Sequence, residues 1–415
     1  MAVFSVFKNT VLLLFFTLSS CGNPTKAHNK ELNSSVAQDT LTANLPIVVA
    51  ANRTEIYLPL LRGKKVGIVA NQTSVIFKGT PSLSFTHIVD SLLSQNIDIK
   101  QVFAPEHGFR GDADAGEKVS DGKDEKTGLP LISLYGKNRK PSKEQLKDID
   151  VVLFDIQDVG VRFYTYIATM QLVMEACAEN NIPIIVLDRP NPNGHYVDGP
   201  SMETEHKGFL GMTNIPLVYG MTIGEYATMI NQEGWLENKV LADLTVIPLE
   251  NYEHQKDYIL PIRPSPNLPN NTSIYLYPSL GLFEGTNVNA GRGTEFQFQR
   301  YGAPFMDSTQ YQFKYTPAPN FGSKDPKHNG KTCYGKDLSQ TPKMDYVNLD
   351  YILDAYRNTK DKSLFFNTSG FTKHAGTASL QKQIVAGLSQ EEIKQTWQAD
   401  INHFRKIRAK YLIYN

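Results

Sequence analysis

Gln101-Val102-Phe103-Ala104-Pro105-Glu106-His107-Gly108-Phe109-Arg110 reads as a short buried strand that opens directly into an acid and an imidazole. In open α/β sheets the carboxyl end of a strand is where ligands bind, so Glu106 and His107 are candidate site residues. The same pattern recurs on both sides. Lys64-Lys65-Val66-Gly67-Ile68-Val69-Ala70 is a continuous apolar run after a basic turn, as in a buried parallel strand, and it ends in Asn71-Gln72-Thr73-Ser74. Phe85 to Leu93 has helical spacing (Phe85, Ile88, Val89, Leu92, Leu93), which makes residues 64–104 a β-α-β unit.

Further along, Val151-Val152-Leu153-Phe154 delivers Asp155 and Asp158, and Gly160 to Thr165 turns into a helix with Met170, Val173, Met174 and Cys177 on one face. Pro183 to Leu187 ends in Asp188-Arg189-Pro190-Asn191-Pro192. Strands in succession that end in ionisable or amide residues predict an α/β fold: a Rossmann-like, doubly wound, mainly parallel sheet with its strand ends gathered over one cleft. Residues 108–128 form a long loop rich in Gly, Asp and Lys, expected to be a lid or rim. Thr222 and Glu225 have the spacing of a capping box, which assigns Glu225 to a helix start rather than to catalysis. Leu244 to Leu249 is expected as an edge strand.

The composition changes at Pro261. Pro261, Pro264, Pro266 and Pro269 punctuate a rigid connector, predicting an N-terminal domain over 49–268 and a smaller α+β domain over 269–415 with the active-site cleft between them. Glu284, in Leu282-Phe283-Glu284-Gly285-Thr286-Asn287, sits in a glycine-bounded loop with amide and hydroxyl neighbours. Gly291-Arg292-Gly293 lacks the strand-turn-helix context of a nucleotide loop, so NAD and ATP are not supported and no cofactor is expected. Gln310–Tyr315 and Tyr346–Asn348 look strand-like. Leu349–Tyr356 and Gln390–Tyr411 look helical, the latter with Ile393, Trp397, Ile401, Phe404 and Ile407 on one face.

Lys plus Arg and Asp plus Glu both number 42, and this balance argues against a nucleic-acid partner. Near the start, Lys8 precedes Val11 to Phe16, an apolar run too short to span a bilayer but suited to a signal-peptide core. Leu18-Ser19-Ser20-Cys21 then looks like a bacterial lipobox. Residues 1–21 are thus expected to be a lipoprotein signal peptide, with Cys21 lipidated and 22–48 a flexible tether. The folded part would be held to the membrane in the cell envelope, facing the periplasm. Cys177 and Cys333 give neither a disulfide framework nor a zinc site, so metal chemistry would have to use Asp, Glu and His.

Pro105-Glu106-His107-Gly108-Phe109, the block Asp155 to Thr165, Asp188-Arg189-Pro190-Asn191-Pro192 and Leu282 to Asn287 together resemble the NamZ-like exo-β-N-acetylmuramidases, from about Lys64 to the C-terminus. The resemblance implies a Rossmann-like domain joined to a smaller C-terminal one, with the site between. It also implies release of N-acetylmuramic acid from the non-reducing ends of peptidoglycan fragments, making muramyl glycans the expected partner. One departure is Phe296-Gln297-Phe298, where the family pattern has proline in the middle; it is expected to touch only rim contacts.

Glycoside hydrolysis usually needs two carboxyls flanking the bond. Glu106 is the expected general acid, tuned by the cleft and by His107, with Glu284, or else Asp155, as base or nucleophile. The lactyl carboxylate of muramic acid calls for an arginine fork, for which Arg162, Arg189 and Arg292 are candidates. Each could instead be an ion-pair partner of Asp155, Asp158 or Asp188. Asn71, Asn191, Asn267 and Asn287, with Asp188, are candidates to read hydroxyls and the acetamido group, and Tyr164 to stack on the sugar or hydrogen-bond to it. Two rivals are a metal-dependent hydrolase using Glu106, His107, Asp155 and Asp188, and a lipoprotein receptor closing on a sugar without chemistry.

Overall fold

The computed structural model describes residues 45–79, 84–110 and 121–415. The signal peptide, Cys21, most of the tether and the middle of the 108–128 loop lie outside the described residues. Residues Ile47–Asn415 form one compact unit.

Its centre is a seven-stranded sheet. In chain order the strands are β1 (Lys65–Ala70), β2 (Val75–Lys78), β3 (Ser84–His87), β4 (Asp98–Ala104), β5 (Gly122–Lys123), β6 (Pro130–Ser133), β7 (Val151–Asp155), β8 (Ile184–Leu187) and β9 (Leu244–Ile247). The sheet order is β5-β6-β4-β1-β7-β8-β9, while β2 and β3 form a separate hairpin. All neighbours in the sheet are parallel except β5 on β6. The chain steps one way from β1 to β4 and β6, then crosses back to β7, β8 and β9. That reversal puts the carboxyl ends of β4, β1 and β7 side by side at the switch point, where an open α/β sheet has its crevice.

Burial follows the pleat. Val66, Ile68, Val151, Leu153, Ile185 and Leu187 enter a core on one face with Tyr57, Leu61, Val89 and Leu92. Val69, Val152, Phe154, Ile184 and Val186 enter the other core, with Met170, Val173 and Met174 from the helix Tyr166–Glu179. This second core continues without a break into the C-terminal part, through Leu280, Phe283, Tyr301 and Phe371. That part carries β10 (Arg300–Ala303), β11 (Phe313–Tyr315) and β12 (Cys333–Asp337) in an antiparallel sheet of order β10-β12-β11, flanked by helices.

Several local expectations change. The helix expected from Phe85 starts at Ile88, because Phe85 pairs with Phe77 in the β2–β3 hairpin and is exposed. His87 ends that hairpin and caps the helix, its Nδ1 accepting the Val89 N–H. Tyr346–Asn348 is not a strand; the Val347 N–H donates to the Asp198 carboxylate and the Asn348 N–H to Ser279 Oγ. The long C-terminal helix is two, Gln390–Thr396 and Gln398–Arg408, broken at Trp397. β9 does lie at the sheet edge.

The last residues return to the back of the sheet. The Tyr414 hydroxyl donates to Asp188 Oδ2 (2.7 Å) and accepts the Leu249 N–H (2.8 Å). Glu225 Oε1 accepts the Ile413 N–H (2.8 Å) and faces His254 Nε2 at 3.1 Å, while Oε2 closes the capping box on the Thr222 N–H. Glu225 is therefore a structural node.

Candidate active site

The switch point opens into a cavity of about 290 Å³. Glu106, His107 and the run Phe163–Tyr166 line it from the sheet side; Ser265, Asn267 and Leu268 come from the proline connector, and Tyr277, Glu284, Arg292, Phe298 and His374 from the C-terminal part.

Glu106 projects from a tight turn at the end of β4. The Gly108 N–H donates back to the Pro105 carbonyl (3.0 Å), and His107 (φ 69°) and Gly108 (φ 77°) are both left-handed. Glycine adopts that conformation freely, whereas at His107 it is unusual and marks a position held by its surroundings. Glu106 Oε2 accepts the Thr165 hydroxyl at 2.8 Å. Thr165 occupies the N-cap of the helix Tyr166–Glu179 without capping it, so its hydroxyl is free for this bond. This bond fixes the carboxyl over the start of that helix. The Tyr135 phenol also bonds to Glu106, and burial together with this carboxylate pushes its pKa up.

Glu284 faces it from the short 3₁₀ turn Gly281–Gly285. This turn packs so closely on the helix Thr368–Ala375 that a Cβ at Gly285 would strike the Phe371 backbone. Lys327 clamps the same turn, its ammonium donating to the carbonyls of Thr286 (2.7 Å), Phe283 (3.0 Å) and Glu284 (3.3 Å). Arg292 Nε donates to Glu284 Oε1 at 3.1 Å, with the guanidinium 5.0 Å above the Phe298 ring. Burial pushes the Glu284 carboxyl up, but Arg292 and Lys327 outweigh it and hold the pKa down at about 2. His374 Nδ1 lies 2.8 Å from the Gly370 carbonyl, which can only accept, so this nitrogen carries the proton. Burial lowers the His374 pKa, leaving a neutral ring whose Nε2 is an acceptor.

The structure thus gathers Glu106, His107, Tyr164, Asn267, Glu284 and Arg292 in one cavity. Tyr164 donates its hydroxyl to the Pro264 carbonyl (2.8 Å), and Asn267 is anchored to the Gly322 carbonyl (2.6 Å). The other candidates sit elsewhere. Asp155 is fully buried in a two-point pair with Arg189 (2.6 and 2.8 Å), so neither suits catalysis or substrate binding. Burial alone would lower the Arg189 pKa, and the Asp155 carboxylate raises it, keeping the guanidinium charged. Arg162, 1 % exposed, spends its guanidinium on the carbonyls of Pro200 (2.6 Å), Ile215 (3.0 Å), Ala375 (2.7 Å) and His374 (3.1 Å). It braces the wall behind His374 instead of reaching substrate.

Asp188 is taken up by Thr222, Gly224 and Tyr414. Asn191 bonds to Asn193 and Met221, and Asn71 to Thr73, all inside the sheet-end loops. Asn287 is exposed and donates to the Leu364 carbonyl. The metal alternative loses its ligand set, because Asp155 and Asp188 are committed away from Glu106 and His107. At the departure Phe296-Gln297-Phe298, Gln297 is buried next to Phe298, which lines the cavity under Arg292.

Tyr166, Thr165, Tyr277, Lys327 and His374 were not singled out in the sequence. Thr165 closes the quoted block after Asp155 and Tyr166 follows it directly; their place at a helix start beside Glu106 was the available signal. Lys327 and His374 come from far along the chain and have no local pattern to flag them.

Residues 66–272 match the family profile "Exo-beta-N-acetylmuramidase NamZ, N-terminal", and residues 275–414 match its C-terminal counterpart. The chain belongs to the NamZ exo-β-N-acetylmuramidase family. It is 38 % identical to the peptidoglycan β-N-acetylmuramidase NamZ of Bacillus subtilis (strain 168), over 98 % of each chain. Two solved DUF1343 family proteins of Bacteroides fragilis share the fold. One is 44 % identical with a TM-score of 0.80, the other 29 % identical with 0.73, and each comparison covers 89 % of this chain and 99 % of that one.

Proposed function

We propose that this chain is an exo-acting glycosidase that releases N-acetylmuramic acid from the non-reducing ends of peptidoglycan fragments, with Glu106 as general acid and Glu284 as the ionised partner. The observation that carries the assignment of roles is the contrast between the two carboxyls. Glu284, held at about 2 by its cations, cannot supply a proton near neutral pH. The acid is therefore Glu106, which lies across the same cavity beside Thr165 and Tyr135. It donates its proton to the glycosidic oxygen as the bond breaks, the Glu284 carboxylate stabilises the positive charge that develops on the sugar ring, and a water then bonds to the anomeric carbon and gives a proton back to Glu106. Arg292 uses one donor on Glu284, and its remaining N–H groups are the natural partners for the lactyl carboxylate. The neutral His374 Nε2 accepts a sugar hydroxyl.

The test is cleavage of the muramyl-glucosamine disaccharide, whose sugar leaving group must be protonated, beside the matching glucosaminyl disaccharide, by wild type and Glu106→Gln. Cleavage of the muramide alone, lost in the variant, supports the assignment. Full activity in the variant removes Glu106 from the role of acid.

The apolar run Val11–Phe16 followed by Leu18-Ser19-Ser20-Cys21 supports a lipid-anchored protein of the cell envelope, facing the periplasm. Membrane recovery of wild type and release of Cys21→Ser into the soluble fraction test the anchor; equal partitioning of the two removes it.

A further inference from the structure

Beside the catalytic cavity lies a second recess, of about 520 Å³, with a different character. Its rim carries Lys137, Arg139 and Lys207, all exposed, around the half-buried Phe209 and Met212. The Arg139 guanidinium lies 4.3 Å above the Phe209 ring, a stacking that holds the fork in place while its N–H edge stays open. None of these three cations has a carboxylate partner among the described residues. Lys140, the fourth cation of the recess, is already satisfied by Glu179 (2.7 Å) and Glu175 (3.5 Å).

The recess and the cavity share a wall. Gly208 and Gly211 exchange backbone hydrogen bonds (3.1 and 2.9 Å) and close a tight turn between them. Leu210, at the tip, lines the cavity that holds Glu106, while its neighbour Phe209 lines the basic recess. Tyr135, bonded to Glu106, stands 6.2 Å from the Phe209 ring and bridges the two from the other side.

We propose that this recess is a subsite for a carboxylate on the leaving-group side of the substrate. The inference rests on the exo-muramidase activity above. An enzyme that takes the terminal sugar into its cavity must let the rest of the glycan leave past the rim, and the turn Gly208–Gly211 is part of that rim. A peptidoglycan strand carries a lactyl group on every second sugar, so a fragment longer than a disaccharide presents a carboxylate beyond the bond being cut. Where a peptide is attached, that lactyl carboxylate is consumed in an amide and the peptide's own carboxylates replace it. Arg139, Lys137 and Lys207 match either source in charge, and Phe209 and Met212 give the recess an apolar floor.

The experiment compares kcat/KM for three substrates: the muramyl-glucosamine disaccharide, whose leaving sugar is neutral; the peptide-free tetrasaccharide of the same repeat; and that tetrasaccharide with a peptide on its second muramyl residue. Wild type is expected to favour a carboxylate-bearing tetrasaccharide about tenfold over the disaccharide, as befits a charge-assisted contact, and added salt should erode the preference. The tetrasaccharide that is favoured identifies the source of the carboxylate. Arg139→Gln and Lys207→Gln should each remove most of the preference while leaving disaccharide turnover unchanged. Equal kcat/KM for all three substrates overturns the subsite, as does an equal loss on disaccharide and tetrasaccharide in both variants. If wild type fails to cleave even the disaccharide, the muramidase activity itself is wrong. Calorimetric binding of the tetrasaccharide to wild type and Arg139→Gln then decides the recess alone, and equal affinity rejects it.

Discussion

Arg292 Nε and Glu284 Oε1 face each other across 3.1 Å in the cavity wall, and this pairing holds Glu284 ionised. With Arg292 removed, burial is opposed chiefly by Lys327 and the Glu284 pKa rises from about 2 toward its ordinary 4.5. Arg292→Met is therefore expected to shift the acidic limb of its kcat/KM profile to higher pH, together with a loss of at least about tenfold in kcat. A pH profile that keeps the wild-type acidic limb removes Arg292 from this role.

Glu106→Gln keeps the shape of the side chain and its bond to Thr165 but has no proton to give. A loss of about 100- to 10,000-fold is expected on a sugar leaving group, and a much smaller one on a nitrophenyl leaving group, which departs without protonation. Equal losses on both point to misfolding of the turn, which circular dichroism and thermal unfolding check separately.

Arg162 is the counter-case. Its four carbonyl partners lie in two distant stretches, around Pro200–Ile215 and His374–Ala375. Arg162→Ala orphans all of them and is expected to cost about 3 kcal/mol or more in urea unfolding. If the stability is unchanged but KM for the muramide rises sharply, Arg162 is a substrate contact after all.

Asp158 offers a pH test of stability. Burial raises its pKa from 3.8 to about 7, although the Tyr219 hydroxyl and the Gly160 N–H favour the charged form. A carboxyl with a raised folded-state pKa holds its proton more tightly when folded. It therefore contributes stability that is complete below about pH 3.8 and is lost as pH rises through about 7. Asp158→Asn keeps an acceptor for both donors but cannot ionise. The unfolding free energy of wild type should fall relative to this variant between pH 4 and 7, by about 1.4 kcal/mol for each pH unit between the two pKa values. A constant difference over that range rejects a raised Asp158 pKa.

The unbroken apolar runs Val66 to Ala70 and Val151 to Phe154, and the polar residues that follow each strand, made the sheet and its crevice legible, because buried strands of a parallel sheet lack polar alternation. Glu106 and Glu284 were legible for a related reason: each acid stands in a glycine-bounded turn. Arg162 and Asp155 were misplaced because an ionisable residue at a strand end looks the same whether it faces a ligand or a buried partner. Only the fold shows that the Asp155 and Arg189 charges cancel. His374 and Lys327 were invisible because their role comes from packing against Gly281–Gly285, a contact remote in sequence. The hairpin at Phe85 was hidden by a spacing that suits helix and strand alike over so few residues.

The bond between Tyr414 and Asp188 spans 226 positions of the chain. A ribosome that has delivered the whole parallel sheet has not yet delivered the hydroxyl for Asp188 or the Ile413 amide for Glu225, both fully buried acids. The sheet must therefore wait, half-satisfied, until residues 413–414 have been made. The two halves that the family profiles separate are not modules to be exchanged or expressed apart: the first depends on the final stretch of the second to close its own back edge.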